Sequence, residues 1–313
     1  MKRHATVTDR LTAIVGPERV HRDAPLAPLT TFRVGGPADW LVETRTSAEV
    51  ESVVALAHES GLPLTTFGGG SNLLVSDRGV RGIVIRTRGG EVCQSQTDRV
   101  RADAAVTING LVRWTISHAF AGLELWAGTP GTVGGAIYGN AHFQGVCIGD
   151  RVARVAVLAR DGTLAELDAA QMEFGYDTSR LQRTREVLLW AEFRVVPGDP
   201  ARLRAIARAS LAYRKRTQPL DVPSAGCIFQ NPDPSARLPD GVPHSAGALI
   251  DRAGLKGRRV GGACVSDAHG NFIVNDAGAT ASDIKQLIEE CRDEVRARFG
   301  VTLKDEIVYL GEF

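Results

Sequence analysis

Apolar positions along the chain switch between helical and strand spacing, and the two kinds alternate through the first half. Thr46-Ser47-Ala48-Glu49 reads as a capping box, after which Val50, Val53, Val54 and Ala57 fall on one face of a helix that Gly61 closes. Next, "LPLTTFGGG" predicts a short strand running into a glycine loop, and "GIVIRT" (82–87) a buried strand. From about 86 to 198 the strand signal dominates. "RVARVAVLARDGTLAEL" holds two apolar runs about an Asp161-Gly162 turn, and "REVLLWAEFRVV" is a further strand. One helix is expected from Leu111 to Ala121, stopped by Gly122. Asp199-Pro200 opens another, with Leu203, Ile206, Ala207 and Leu211 on one face; it ends in Arg214-Lys215-Arg216 and is broken by "TQPLDVPSAG". Ile284, Leu287, Ile288, Cys291, Val295 and Phe299 keep helical spacing up to Gly300, which makes Cys291 a core residue. No internal repeat interrupts this order.

Length and composition narrow the picture. A chain of 313 residues predicts two or three domains, and 43% hydrophobic with 23% charged residues is the composition of a folded protein. With 37 Lys plus Arg against 36 Asp plus Glu, nothing draws the whole molecule to nucleic acid or an anionic membrane, so any anion site must be local. The N-terminus lacks the apolar stretch of a signal peptide and no segment approaches a membrane span, so a cytoplasmic protein without membrane insertion is expected. Five cysteines, odd in number, scattered and never in C-x-x-C, predict reduced thiols and no structural metal.

Two stretches stand out for backbone without side-chain chemistry: "FGGGSNLLVSD" (67–77) and "GTPGTVGGAIYGNA" (128–141). Glycines let backbone N–H groups approach a diphosphate closely. The plain alternative is tight turns between strands, and neither stretch spells a Walker or Rossmann motif. Ser71 and Asn72 tilt the first stretch towards a ligand, because they place side-chain donors beside bare backbone.

In chain order, "TTFRVGGPADWLVE" (30–43), the two glycine stretches, "FGYDTSRL", "RKRTQPLDVPSAGCIFQNP", "AGALIDRAGLKGRRVGGACVSDAHGNFIVN" and "VTLKDEIVYLG" resemble the motifs of the UDP-N-acetylenolpyruvoylglucosamine reductase (MurB) family, from about residue 20 to the C-terminus. The resemblance implies an α+β fold. It would comprise a two-part FAD-binding region of the vanillyl-alcohol-oxidase type (1–85 and 86–202), a C-terminal α+β substrate domain (203–305), and a last strand (306–313) returning to the flavin region. It implies non-covalent FAD held by Gly68, Gly69, Gly70, Ser71, Asn72 and Leu73, and by Gly128, Thr129, Pro130, Gly131, Thr132, Gly134, Gly135, Asn140 and Ala141. The implied reaction, a step in peptidoglycan precursor synthesis, takes hydride from NADPH by way of flavin N5 to C3 of enolpyruvyl-UDP-N-acetylglucosamine, and a proton to C2.

For that proton the family uses an A-G-[SC] motif, which here gives Cys227; an unperturbed thiol is largely protonated at neutral pH and is a stronger acid than an alcohol. Glu306 matches the family glutamate that stabilises the developing enolate, a role that asks for a carboxyl in a dry site. Tyr176 and Asn231 match substrate-contacting positions, and Arg214 heads a basic cluster that either faces the UDP diphosphate or merely complements a helix C-terminus.

The chain departs from the family at the arginine of F-x-Y-R-x-S, expected beside the substrate carboxylate. Asp177 stands there, with the wrong sign for the task. Arg180 is the expected replacement, and Arg183 a weaker one. Thr217 and Gln230 also replace family lysines. His142 replaces a family glycine and reads as a rim or packing residue, while His269 matches a family histidine with a structural role. There is no room for the tyrosine-bearing insertion of the family's longer form. Two other readings stay open: a flavin-dependent sugar or alcohol oxidase, and a paralogue that binds FAD and a UDP-sugar with weak turnover.

Overall fold

In the computed structural model, which describes residues 6–313, the chain divides between two units, each with its own core. The first takes the chain up to Ala24, then Ala38–Gly69 and Arg81–Ala212; the second takes Pro25–Pro37, Gly70–Val80 and Tyr213–Phe313. Helices and strands are mixed in both, the α+β class expected.

In the first unit the Ser47–Glu59 helix begins as predicted, with Thr46 accepting from the Glu49 N–H at 3.2 Å. Glu49 does not complete the box: its carboxylate reaches one residue further back, to the Arg45 N–H at 2.7 Å, and holds Arg19 with two bonds. The helix lies with a four-stranded sheet ordered Val20–Pro25, Pro37–Thr44, Val80–Thr87, Leu64–Phe67, in which the last two run parallel. Val53, Val54, Ile83 and Ile85 form one core together with Leu158, Leu189 and Trp190 of a second sheet.

That second sheet has five antiparallel strands, ordered Leu164–Asp168, Val152–Leu158, Val187–Arg194, Arg99–Asp103, Val92–Gln96. The Asp161-Gly162 hairpin forms as expected, with the Ala159 N–H donating to the Thr163 carbonyl at 2.8 Å. Val187–Phe193 is buried throughout because the sheet is covered on both faces; Val155, Val157, Ala191 and Phe193 join the opposite core, against Ile108, Leu111 and Trp126. Glu192 lies inside this run only 2% exposed, held by Arg154 at 3.0 Å and Ser95 at 2.6 Å. The helix expected over 111–121 spans Ile108–Ser117 instead. Thr107 caps it, Ala119 turns out at φ 59°, and Phe120–Ala121 pairs as a strand with Val196–Pro197.

The second unit packs the helices Ala246–Arg252 and Ala281–Phe299 against a three-stranded sheet of Arg259–Val260, Ala263–Val265 and Ile273–Asn275. Cys291 is 1% exposed in that core, and burial pushes its thiol up to about 12. The C-terminal strand Val308–Leu310 runs parallel to Leu73–Val75. The Pro200–Thr217 helix is capped by Asp199, whose carboxylate accepts from the Ala201 and Arg202 N–H groups. All five cysteines are free thiols. Among the described residues no helix is long and apolar enough to cross a membrane.

Candidate active site

In the first unit the two glycine stretches touch. A Cβ on Gly69 would come within 2.7 Å of the Gly131 Cα, and one on Gly68 would enter the Thr132 side chain. Only bare backbone fits there, and Thr132 continues into a cap of the Val133–Tyr138 turn by accepting from the Gly135 N–H. Asn109, which carries no sequence signal, fixes the loop ahead of it: its Oδ1 accepts from the Gly128 N–H at 2.7 Å and its Nδ2 donates to the Thr129 carbonyl at 3.3 Å. A floor of glycine backbone with no carboxylate and no basic side chain between Gly128 and Ala141 suits a flat cofactor that carries its own charge and chemistry.

Asn140 ends that stretch buried, at φ 43°. Both ends of its amide serve the protein itself: Oδ1 accepts from the Gly149 N–H at 2.9 Å and Nδ2 donates to the Gly175 carbonyl at 2.7 Å. The glycine loop is thereby tied to the residue preceding Tyr176 and Asp177. Tyr176 is 44% exposed and its ring lies 4.9 Å from that of His142. Asp177 is buried, and its Oδ1 lies 2.8 Å from His142 Nδ1. Arg180 is engaged elsewhere, in a two-bond pair with Glu186 at 2.9 and 3.0 Å. Burial works to raise the Glu186 carboxyl, but Arg180 and the Thr184 hydroxyl outweigh it and hold it below the usual carboxylate range. Arg183 pairs with Glu173 at the surface.

In the second unit three distant pieces of chain converge. The Glu306 N–H donates to the Ile228 carbonyl at 2.8 Å, Gln230 donates to Lys304 at 2.9 Å, and Phe229 bridges Asp305, so the residue next to Cys227 lies alongside Glu306. Asn72 Nδ2 donates to the Glu306 carbonyl at 3.0 Å, and the Val308 N–H returns a bond to the Asn72 carbonyl at 3.0 Å. Leu73 opens the strand that pairs with Val308, Ser71 is half-buried, and the Gly70 carbonyl accepts from the Thr31 N–H at 3.0 Å. Arg292, paired with Asp305 and donating to the Leu303 carbonyl at 3.3 Å, anchors the approach to Glu306.

Of the basic triplet only Arg214 turns inward; Lys215 and Arg216 are exposed. Burial pushes the Arg214 guanidinium down to about 10, while its interaction with the Cys227 thiol works in the opposite direction, and it remains a cation at neutral pH. Cys227 itself is half-buried. Asn231 caps the Ala246–Arg252 helix, its Oδ1 accepting from the Ala246 N–H at 3.0 Å. Asn271 is the residue that sequence reasoning passed over: buried, it brackets Phe229 with bonds of 3.0 and 2.7 Å, and its carbonyl accepts from the Ile228 N–H at 2.9 Å. His269 takes the structural part expected of it, accepting at Nδ1 from the Asn271 N–H at 3.2 Å; desolvation and then Lys256 lower its pKa.

Comparison with known proteins agrees with this division of labour. Residues 38–168 match the model of an FAD binding domain, and 218–310 match that of the UDP-N-acetylenolpyruvoylglucosamine reductase C-terminal domain. Among curated relatives, UDP-N-acetylenolpyruvoylglucosamine reductase of Synechococcus sp. (strain WH7803) is 39% identical, covering 98% of each chain. The enzyme of that name from Trichormus variabilis is 41% identical over 94% of this chain and 87% of its own. The crystal structure of MurB from Thermus caldophilus superposes with a TM-score of 0.78 at 32% identity, covering 94% of this chain and 99% of that one.

Proposed function

Since the chain belongs to the UDP-N-acetylenolpyruvoylglucosamine reductase family, an FAD-dependent oxidoreductase family, we propose that it reduces enolpyruvyl-UDP-N-acetylglucosamine to UDP-N-acetylmuramate in the cytoplasm, with NADPH as hydride donor. The observation that carries the reading is the convergence of Cys227 and Glu306, through the Glu306–Ile228 backbone bond, with the buried cation Arg214 beside the thiol. FAD, when bound, would supply the two-electron carrier, and Gly68–Leu73 with the residues named between Gly128 and Ala141 would hold it. The divisions at 85 and 202, with the returning strand from 306, belong to the same proposal.

Each protein group then has a task. Cys227 gives its proton to C2 of the enolpyruvyl group, and Arg214 draws the anionic substrate towards it. Glu306 stabilises the enolate that develops as C3 is reduced, its main chain fixed by Ile228 and Asn72. Asn231 and Tyr176 contact the substrate, the first held at a helix start and the second partly open to solvent.

Anaerobic absorbance tests this directly. NADPH should bleach the oxidised flavin band of the purified protein, and enolpyruvyl-UDP-N-acetylglucosamine should bring it back. A bleach without return contradicts the reductase reading and favours a binding paralogue; rapid oxygen consumption with an alcohol donor favours an oxidase.

A further inference from the structure

Two of the departures from the family pattern, His142 for glycine and Asp177 for arginine, lie in contact, 35 residues apart in sequence and 2.8 Å apart in space. Resting on the reductase reading, we propose that they act as one unit in the arginine's place: His142, held by Asp177, is the cationic contact for the substrate's carboxylate.

Asp177 has a left-handed backbone at φ 54°, which aspartate tolerates better than most residues, and it is 6% exposed. Its Oδ1 takes the His142 Nδ1–H, while its Oδ2 is buried without a hydrogen-bond partner among the described residues. A buried carboxylate whose one hydrogen bond among the described residues goes to the ring fixes that ring's orientation. Among the described residues against the pair, Cys147 beside Asp177 is a thiol and Tyr176 beside His142 is an exposed phenol. Arg180 and Arg183 are neutralised by Glu186 and Glu173.

With Nδ1 committed, the ring presents Nε2 as its remaining hydrogen-bonding atom. The His142 side chain is 26% exposed, beside Tyr176 and two residues from Asn140, which ties the glycine loop to Gly175. An imidazolium Nε2–H there makes a charge-assisted bond to a ligand carboxylate. Asp177, repellent to that carboxylate if it faced it, becomes the group that orients the ring from behind. Asp177 is thus a positioning residue and His142 a substrate-contacting one.

Calorimetry on the oxidised, FAD-loaded full chain separates this role from packing, using two ligands that differ by the carboxylate-bearing lactyl ether: UDP-N-acetylmuramate and UDP-N-acetylglucosamine. His142→Gln and Asp177→Asn should each cut the preference for the carboxylated ligand by about tenfold to a hundredfold, leaving UDP-N-acetylglucosamine affinity within about threefold. Combining His142→Gly with Asp177→Arg should restore the preference. Preference unchanged within about threefold in either single variant, or not restored by the paired change, overturns the proposal while leaving the reductase reading in place. Failure of the wild-type protein to bind either UDP-sugar overturns both.

Discussion

The glycine stretches of the first unit and the Arg214–Cys227–Glu306 cluster of the second meet opposite demands. Where Gly69 lies on Gly131 the protein contributes shape alone, with no carboxylate and no basic side chain from Gly128 to Ala141. In the other cluster it contributes a guanidinium, a thiol and a carboxyl, and the main chain around the last two is tied by bonds with Ile228, Asn72 and Asn271. The first arrangement tolerates no added atom because its contact is already van der Waals-close. In the proposed reaction the second arrangement serves to place charge and protons, so changes of charge there are expected to matter more than changes of shape.

The largest expected effect breaks the first half of that contrast. Gly69→Val should leave the protein almost free of flavin after gel filtration and cost about 1–3 kcal/mol of stability through overpacking. Full flavin content in that variant would show that close backbone contact is not what the loop provides. Next, Cys227→Ala should keep the NADPH-driven bleach yet slow its reversal by substrate by about 10²–10⁴-fold, with Cys227→Ser in between. Equal rates for Ala and wild type in stopped-flow would remove the thiol from the chemistry.

Arg214→Met sharpens the second half. The substitution removes the buried cation while roughly keeping its volume, so KM for the UDP-sugar should rise about tenfold to a hundredfold while the urea midpoint reports separately on packing. A variant that unfolds without losing affinity would make Arg214 structural. The smallest effect is a pH dependence away from the chemistry. Because His269 is held neutral in the fold, its contribution is present above the ordinary imidazole pKa and is lost as pH falls through it and below, where the unfolded chain binds the proton more readily. Stability should therefore decline from about pH 7.5 to about pH 5.5, and His269→Asn should flatten that decline in chemical denaturation.

Much of the fold was legible because its signals are local. The Thr46 cap, the Asp161-Gly162 hairpin, the Asp199-Pro200 helix start and the Gly300 stop each involve residues within a few positions of one another. The helix over 108–117 was displaced in the sequence reading because Thr107 is a plain cap, and because the Phe120–Ala121 pairing with Val196–Pro197 is non-local. Glu49 deserted its capping box for the same kind of reason: Arg19, thirty residues away, competes for its carboxylate.

The candidate site divides along the same line. By itself the sequence determined which residue types are present and the spacing of their motifs: glycine stretches that admit backbone contact, a thiol after Ala225-Gly226, a glutamate opening the last strand, and an aspartate where the family has arginine. Only tertiary structure decided that Glu306 meets Ile228 and Asn72, that Arg214 alone of its triplet is buried, that Arg180 belongs to Glu186, and that His142 belongs to Asp177. The reason is physical: caps and turns are set by bonds between near neighbours, whereas the charge and availability of a site group depend on which distant partners the packed chain brings against it.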